Sequence, residues 1–521
     1  MTEANALCDE IRSDNAEGDA PTGLSRRGAI RNVVAGLGLG ALPAIAFGDP
    51  ALRPTRGRRR QRPVVVPRFG ATDPALLALI NRATMGFSRA AYDEAESMGY
   101  EIWLEWQLDH ENIDDSAWEA QLATYLFDTL TMTSQQIFNT YGEMDGIIVQ
   151  QLVRATILRH AFSRKQLFER MVEFWTDHFN IEILDGQCRR LKTADDRDVI
   201  RANALGTFPA LLSASAHSGA MLFYLDNYTN IVGHAQENYA RELMELHTMG
   251  VDGGYSQNDV EEVARCFTGW NFWNQGSGQF GNFRFISGQH DNGVKTVLGN
   301  VINAGGVADG DAVVNILAYH PSTARFIAWK LCKRFIGYNP PEDMVETVKQ
   351  TYLDTGGDIK SMLRVILHST VMQYLTTPKF KRPLHLMTSV LRATGATVTQ
   401  ARYVQNESLS MGQAPFYWSP PDGYPDSIET WGATLLPRWD FGWSVFNSAT
   451  SVTIDTVGLL NSEGGNVPGQ QAAAINRILT GGALPVGEVA EIQDYYDGAP
   501  AGSALRDAFT LGASVPGYQW Y

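Results

Sequence analysis

Apolar residues recur at three- and four-residue intervals along most of this chain, the period of a helix with one buried face. The pattern opens at Asp73-Pro74, an N-cap with proline at the first helical position, and places Leu76, Leu77 and Ile80 on one side. It predicts helices over Tyr92–Asp109, Ser116–Leu130, Met144–His160, Lys165–Phe179 and Ile200–Ser215. Helical spacing returns over Asp309–Tyr319, Ser322–Ile336, Glu342–Asp354, Ile359–His368 and Pro383–Gly395. Three stretches differ. Met221–Leu225 is a short apolar run with the makings of a strand, and Asn271–Asn300 is Gly-rich and aromatic, with Phe280, Phe283 and Phe285 alternating as in a hairpin. Gly412–Trp431 reads as an irregular aromatic loop. The expected fold is mainly α, a multi-helix globular domain with a small β-hairpin insert near 271–300. Residues 73–450 form the helical core domain, and 451–521 a helical, Gly-rich extension packing on it.

Between these blocks lies Glu237–Trp270, ENYARELMELHTMGVDGGYSQNDVEEVARCFTGW, the densest run of chemically capable residues in the chain. It reads as helix, turn, helix. Gly250 suits a left-handed cap, Asp252-Gly253-Gly254 a turn, and Ser256 with Asp259 a capping box ahead of the stripe Val260, Val263, Ala264, Phe267.

Charge and composition then narrow the classes. The chain carries a formal −15, but residues 69–521 hold 31 Lys/Arg against 50 Asp/Glu, near −19. A surface that acidic argues against nucleic acid and for neutral or cationic partners. Ser25-Arg26-Arg27 followed by the apolar run Val33–Phe47 and Ala44-Ile45-Ala46 describes a twin-arginine export signal over residues 1–46. The run is about 15 residues, short of the roughly 20 that span a bilayer, so no stable transmembrane anchor is expected. Localisation is then periplasmic or extracellular, with residues 47–72 a basic flexible linker. Cys8 leaves with the signal, and Cys188, Cys266 and Cys332 are expected as buried free thiols.

LINRATMGFS (Leu79–Ser88), FWTDHFN (Phe174–Asn180), the Glu237–Trp270 motif, HDNGVKTVLG (His290–Gly299), HPSTARFIAWKLCKRFI (His320–Ile336) and MGQAPFYWSPPDGYPDS (Met411–Ser427) occur in that order. In them the chain resembles the bacterial family catalogued as domain of unknown function 1800, from about residue 75 to 440. The resemblance implies a mainly helical exported protein, often encoded beside a sulfatase-like partner, and implies no particular activity. The chain departs from the family pattern at Gly423-Tyr424-Pro425, where a Trp-Pro pair is common. It departs again at Ala216–Met221, where the family has a His-Pro-Ala-Met run.

Candidate chemistry rests on acids and imidazoles from separate segments. Glu242 and Glu245 share a helix face, with Asn238 one turn earlier, and suit a divalent cation or a general acid–base pair. His247, two residues past Glu245, points away from it, so Glu-Leu-His is a poor metal motif by itself. The bland alternative is an Arg241–Glu245 ion pair with His247 near a helix C-terminus. His178, between Phe174, Trp175 and Phe179, is either a satisfied core histidine or a pocket wall. Asp226 ends the Met221–Leu225 run. Trp270, Trp418 and Trp431, in the two aromatic segments, are candidate platforms for sugar rings. Two function classes follow. In the first, a hydrolase acting on an envelope or extracellular glycan uses Glu242, Glu245, Asp226 and His178. His247, Asn238 and the tryptophans then contact substrate, and a metal-assisted version gathers His178, Asp226, Glu242 and His247 around one divalent cation. In the second, the motif is a buried network in a non-catalytic envelope scaffold or assembly protein working with the sulfatase-like partner. The sequence leans slightly to the hydrolase.

Overall fold

The computed structural model describes residues 72–142, 145–375, 377–448 and 450–521. The export signal, Cys8 and the linker up to residue 71 lie outside them. Helices follow one another along nearly the whole described chain, and strands form only two-stranded antiparallel pairs. The fold is mainly α. Asp73 caps Pro74–Ala83 as expected, its Oδ1 accepting the Ala75 N–H at 2.8 Å.

Glycine and proline divide helices that hydrophobic period alone joins. The expected Tyr92–Asp109 is two helices, Arg89–Met98 and Tyr100–Leu108, because Gly99 adopts φ 86°, ψ 153° between them. Ile200–Ser215 also divides, into the end of a π-helical segment, Asp195–Arg201, and the helix Phe208–Ala216, which starts at Thr207-Phe208-Pro209. Met221–Leu225 is not a strand: it lies in and just past the helix Gly219–Tyr224. A run that short carries no period of its own, so its packing decides. The insert holds two hairpins rather than one. Trp270–Phe272 pairs with Phe283–Phe285, and Lys295–Val297 with Asn300–Ile302.

Two large apolar cores organise the described chain, beside a small cluster of Phe380, Tyr424 and Trp431. One gathers Leu79, Trp103, Met171, Trp175, Leu211, Leu243, Val263, Leu331 and Tyr352. The other joins Leu152 and Leu158 of the helix Gly146–Phe162 to Met387 and Leu391 of Pro383–Ala393. Ile475, Ile492 and Phe509, from the last three α-helices, complete it. Consecutive helices thus serve different cores: Gly146–Phe162 faces the second and Gln166–His178 the first. The last residues return to the body, where Lys379 and Tyr521 exchange two backbone hydrogen bonds of 2.9 Å. Cys188, Cys266 and Cys332 are free and buried. No helix among the described residues is long and apolar enough to cross a membrane.

Candidate functional site

Four of the sequence motifs meet around His178, the last residue of Gln166–His178. Its ring is held among Phe174, Trp175, Phe179, Phe208 and Phe326, with centroids 4.5–6.4 Å away. His178 Nε2 lies 3.0 Å from the His247 carbonyl, which can only accept, so Nε2 carries the proton. Nδ1 is then the lone-pair nitrogen, and it accepts from Lys330 Nζ at 2.8 Å. Burial, reinforced by the Lys330 charge, drives the His178 pKa well below the ordinary histidine value. Burial brings His247 down to about 3. Lys330, half-buried, is lowered by burial to about 8, with Asp177 and Asp422 pulling the other way. The late aromatic loop closes over this group. Asn180 Nδ2 donates to the carbonyls of Trp418 and Pro420, each at 2.8 Å, and Trp418 Nε1 donates to Asp422 at 3.0 Å. Gly423, at φ +75°, lies so close to the Asp177 carbonyl that a Cβ would overlap it.

The His247 carbonyl reaches His178 because the motif helix changes winding. Asn238–Glu242 is α-helical and Leu243–Thr248 is π-helical, with Met249 N–H bonded to the Met244 carbonyl at 2.9 Å. The wider turn admits an extra residue, and His247 faces inward with 1% of its surface exposed. Beyond it, Gly250 takes the left-handed cap (φ 80°), and the capping box forms at Ser256 and Asp259.

The other predicted residues are dispersed. Glu242 and Glu245 are half-buried on the motif helix. Arg241 pairs with Glu237 at 2.7 Å, one turn back, and donates to Gln257 at 3.0 Å. Asn238 Nδ2 donates to the Leu225 carbonyl at 3.3 Å, tying the motif to the turn at Asp226, which is exposed and left-handed at φ 63°. Trp270 and Trp431 are buried and offer no open platform. Trp270 packs on Gly310, Phe267, Phe283 and His217, and the Trp431 indole donates to the Pro425 carbonyl at 2.7 Å. Loops without regular structure need a core of their own, and the tryptophans supply it. Trp418 is half-buried, while Trp439 and Trp443, outside both aromatic segments, face solvent. Among the described residues no three His, Cys, Asp or Glu side chains are grouped to hold a metal, so His178, Asp226, Glu242 and His247 do not form a ligand set.

Sequence reasoning missed the charges beneath the junction. Glu173 is paired with Arg334 and Arg382, and lies 3.5 Å from Arg170; all four are buried. Arg382 also bonds Asp177 at 2.7 Å. The three arginines hold the Glu173 carboxyl far below the usual carboxylate range against the penalty of burial. Glu169 takes a two-pronged bond from Arg201 at 2.9 Å. The available signal was Glu169, Arg170 and Glu173 falling within about 100° of one another on a helix otherwise rich in large apolar residues.

A second feature is a cleft of about 360 Å³ between Asp195–Arg201, the start of Gly219–Tyr224 and the hairpin residues Gly281–Phe283. Ser218 Oγ donates to Asp195 Oδ1 at 2.6 Å, while Lys192 Nζ donates to Oδ2 at 2.6 Å. His217 lines the same cleft, its ring 4.5 Å from those of Trp270 and Phe283. None of these polar residues stood among the candidates.

Comparison with known proteins gives a single kind of likeness. No curated protein and no solved structure matches the chain. A family model described as "Protein of unknown function (DUF1800)" matches residues 78–520, which take in both the His178 junction and the cleft. The chain belongs to the DUF1800 family.

Proposed function

We propose that this is an exported, non-catalytic scaffold or assembly protein of the cell envelope, in which the shared motif acts as an internal polar brace. The observation that carries this reading is the state of His178. Both ring nitrogens are engaged, one by the His247 carbonyl and one by Lys330, and the ring is enclosed by aromatic side chains. An imidazole so placed orients three segments against one another and has no lone pair left for a substrate. Export rests on the twin-arginine pattern, and the sulfatase-like partner on the family resemblance.

The test combines elemental analysis of protein purified from the periplasm with two variants. The scaffold reading expects no stoichiometric metal in the parent or in Glu242→Gln. It expects His178→Ala to cost about 2–4 kcal/mol, from a cavity and an unpartnered carbonyl. Metal bound by the parent and lost in Glu242→Gln at unchanged stability would overturn it.

One observation favours the hydrolase. Lys330 is a half-buried residue whose amine feels the charges of Asp177 and Asp422, with a pKa lowered by burial to about 8. An amine of that basicity takes a proton near neutral pH. In this reading Lys330 is the general base, and an envelope glycan rests on Trp418. Glycan turnover abolished by Lys330→Met, with a rising limb near pH 8 in the parent, would establish it.

A further inference from the structure

We infer that the cleft beside Asp195 binds a neutral, hydroxyl-rich ligand of one to two sugar rings. The inference is independent of whether the His178 junction is catalytic. Four observations carry it.

The first is space with fixed walls. About 360 Å³ lies at the small end of ligand pockets, sized for a mono- or disaccharide. The hairpin tip cannot be moved off the helices without loss of contact. A Cβ on Gly219 would overlap the Gly281 carbonyl, and one on Gly281 would meet Leu191 at 2.7 Å and Ser134 at 2.9 Å. Gln135 Oε1 accepts the Phe280 N–H at 2.8 Å and pins the tip from a third side. A cleft so built is preorganised, and its ligand need not order it.

The second is charge. The acids that line the cleft are answered locally: Asp195 by buried Lys192 and Asp198 by Arg197 at 2.7 Å. An ionic ligand would lose its hydration and find no unanswered counter-charge. The acidic body adds long-range repulsion of anions.

The third is the mixture of surfaces. Phe283, Leu191 and Val199 offer apolar contact for the C–H faces of a sugar. Thr133, Ser134 and Asn282 line the same space as hydrogen-bonding partners for its hydroxyls.

The fourth is the orientation of Ser218. As the residue before the helix Gly219–Tyr224 it should turn its hydroxyl onto the helix amides, and it does not. Its proton goes to Asp195, which leaves the Oγ lone pairs as acceptors at the cleft wall. That wall includes the π-helical segment Asp195–Arg201, a winding that recurs at functional sites.

The experiment is saturation-transfer NMR on the folded full-length mature protein, with cellotriose, chitotriose and trigalacturonic acid as probes. Transfer to the ring protons of a neutral trisaccharide is expected, with apparent affinity at least about tenfold weaker for the anionic trimer, equivalent to about 1.4 kcal/mol. Ala214→Trp, which fills the cleft, should abolish transfer. Asn282→Trp, on the exposed rim, should do the same without touching the core, so a folding failure of the first variant leaves the test intact. Trp418→Ala, at the His178 junction, should leave transfer unchanged. No transfer from either neutral probe, transfer that survives Asn282→Trp, or tighter binding of the anionic trimer would each overturn the inference.

Discussion

The His178 junction and the Asp195 cleft are both built from buried polar groups, yet they differ in what those groups leave over. At the junction, most hydrogen-bonding capacity is spent on other parts of the chain, His247 Nε2 being a buried exception. His178 takes a carbonyl and an amine, Asn180 two carbonyls, and Trp418 a carboxylate. At the cleft the charges are answered in pairs, but glycine-bounded walls hold them apart and space remains between. Four motifs converge on the first region and only fragments line the second. Motif density therefore marks where the chain must fit together, which is not the same as where a ligand has room.

The comparison breaks first at the ion cluster under the junction. Arg382→Met leaves buried Glu173 and half-buried Asp177 short of a partner, and should cost about 3–5 kcal/mol in urea unfolding while sparing the cleft. A loss below about 1 kcal/mol would mean the cluster is open to water.

Acid gives an effect of comparable size. Burial lowers His247 from 6.5 to about 3, so between those values the unfolded chain binds a proton that the native protein does not. Stability is therefore full above pH 6.5 and declines as pH falls toward 3, by about 4–5 kcal/mol from this group alone. His178, shifted in the same direction, steepens the decline. The difference between the parent and His247→Leu across that range isolates the His247 share, and equal slopes in the two proteins would refute it.

Lys330→Met is the finest probe, because two effects oppose. The variant leaves His178 Nδ1 without a donor, at about 1–3 kcal/mol, and removes the burial penalty of an ammonium. The net change at pH 7 should stay within about 1 kcal/mol. The parent should nonetheless gain stability from pH 8 to 10.5, where the native amine has lost its proton and the unfolded one has not. The variant should show a smaller gain, Lys379 and Lys381 supplying the rest. An identical gain in both would place Lys330 in solvent.

Local chemistry was legible wherever one residue dictates its own backbone. Asp73-Pro74, the Ser256–Asp259 box and left-handed Gly250 all formed as read, and Phe283 and Phe285 did mark hairpin strand, while Phe280 lies in the turn before it. The helix expected from Ser322 starts one residue earlier, at Pro321, with His320 as its cap. Three kinds of feature lay beyond reach. The π turns at Asp195–Arg201 and Leu243–Thr248 use the same residue types as α-helix, so no propensity announces them. Arg334 and Arg382, which pair with Glu173, and Lys330, which meets His178, come from 152 to 209 residues along the chain, where periodicity carries no information. The cleft is a gap between elements, and its polar lining reads in sequence as ordinary helix-end serine, histidine and aspartate.

Ring-nitrogen NMR of His178 in selectively labelled protein tests the central claim most directly. A sealed brace predicts a neutral imidazole with the proton on Nε2, unchanged from pH 8 down to pH 5, and slow exchange of that proton with water. Titration near 6.5 with a rapidly exchanging proton would show an accessible imidazole, and would return the junction to the active-site reading.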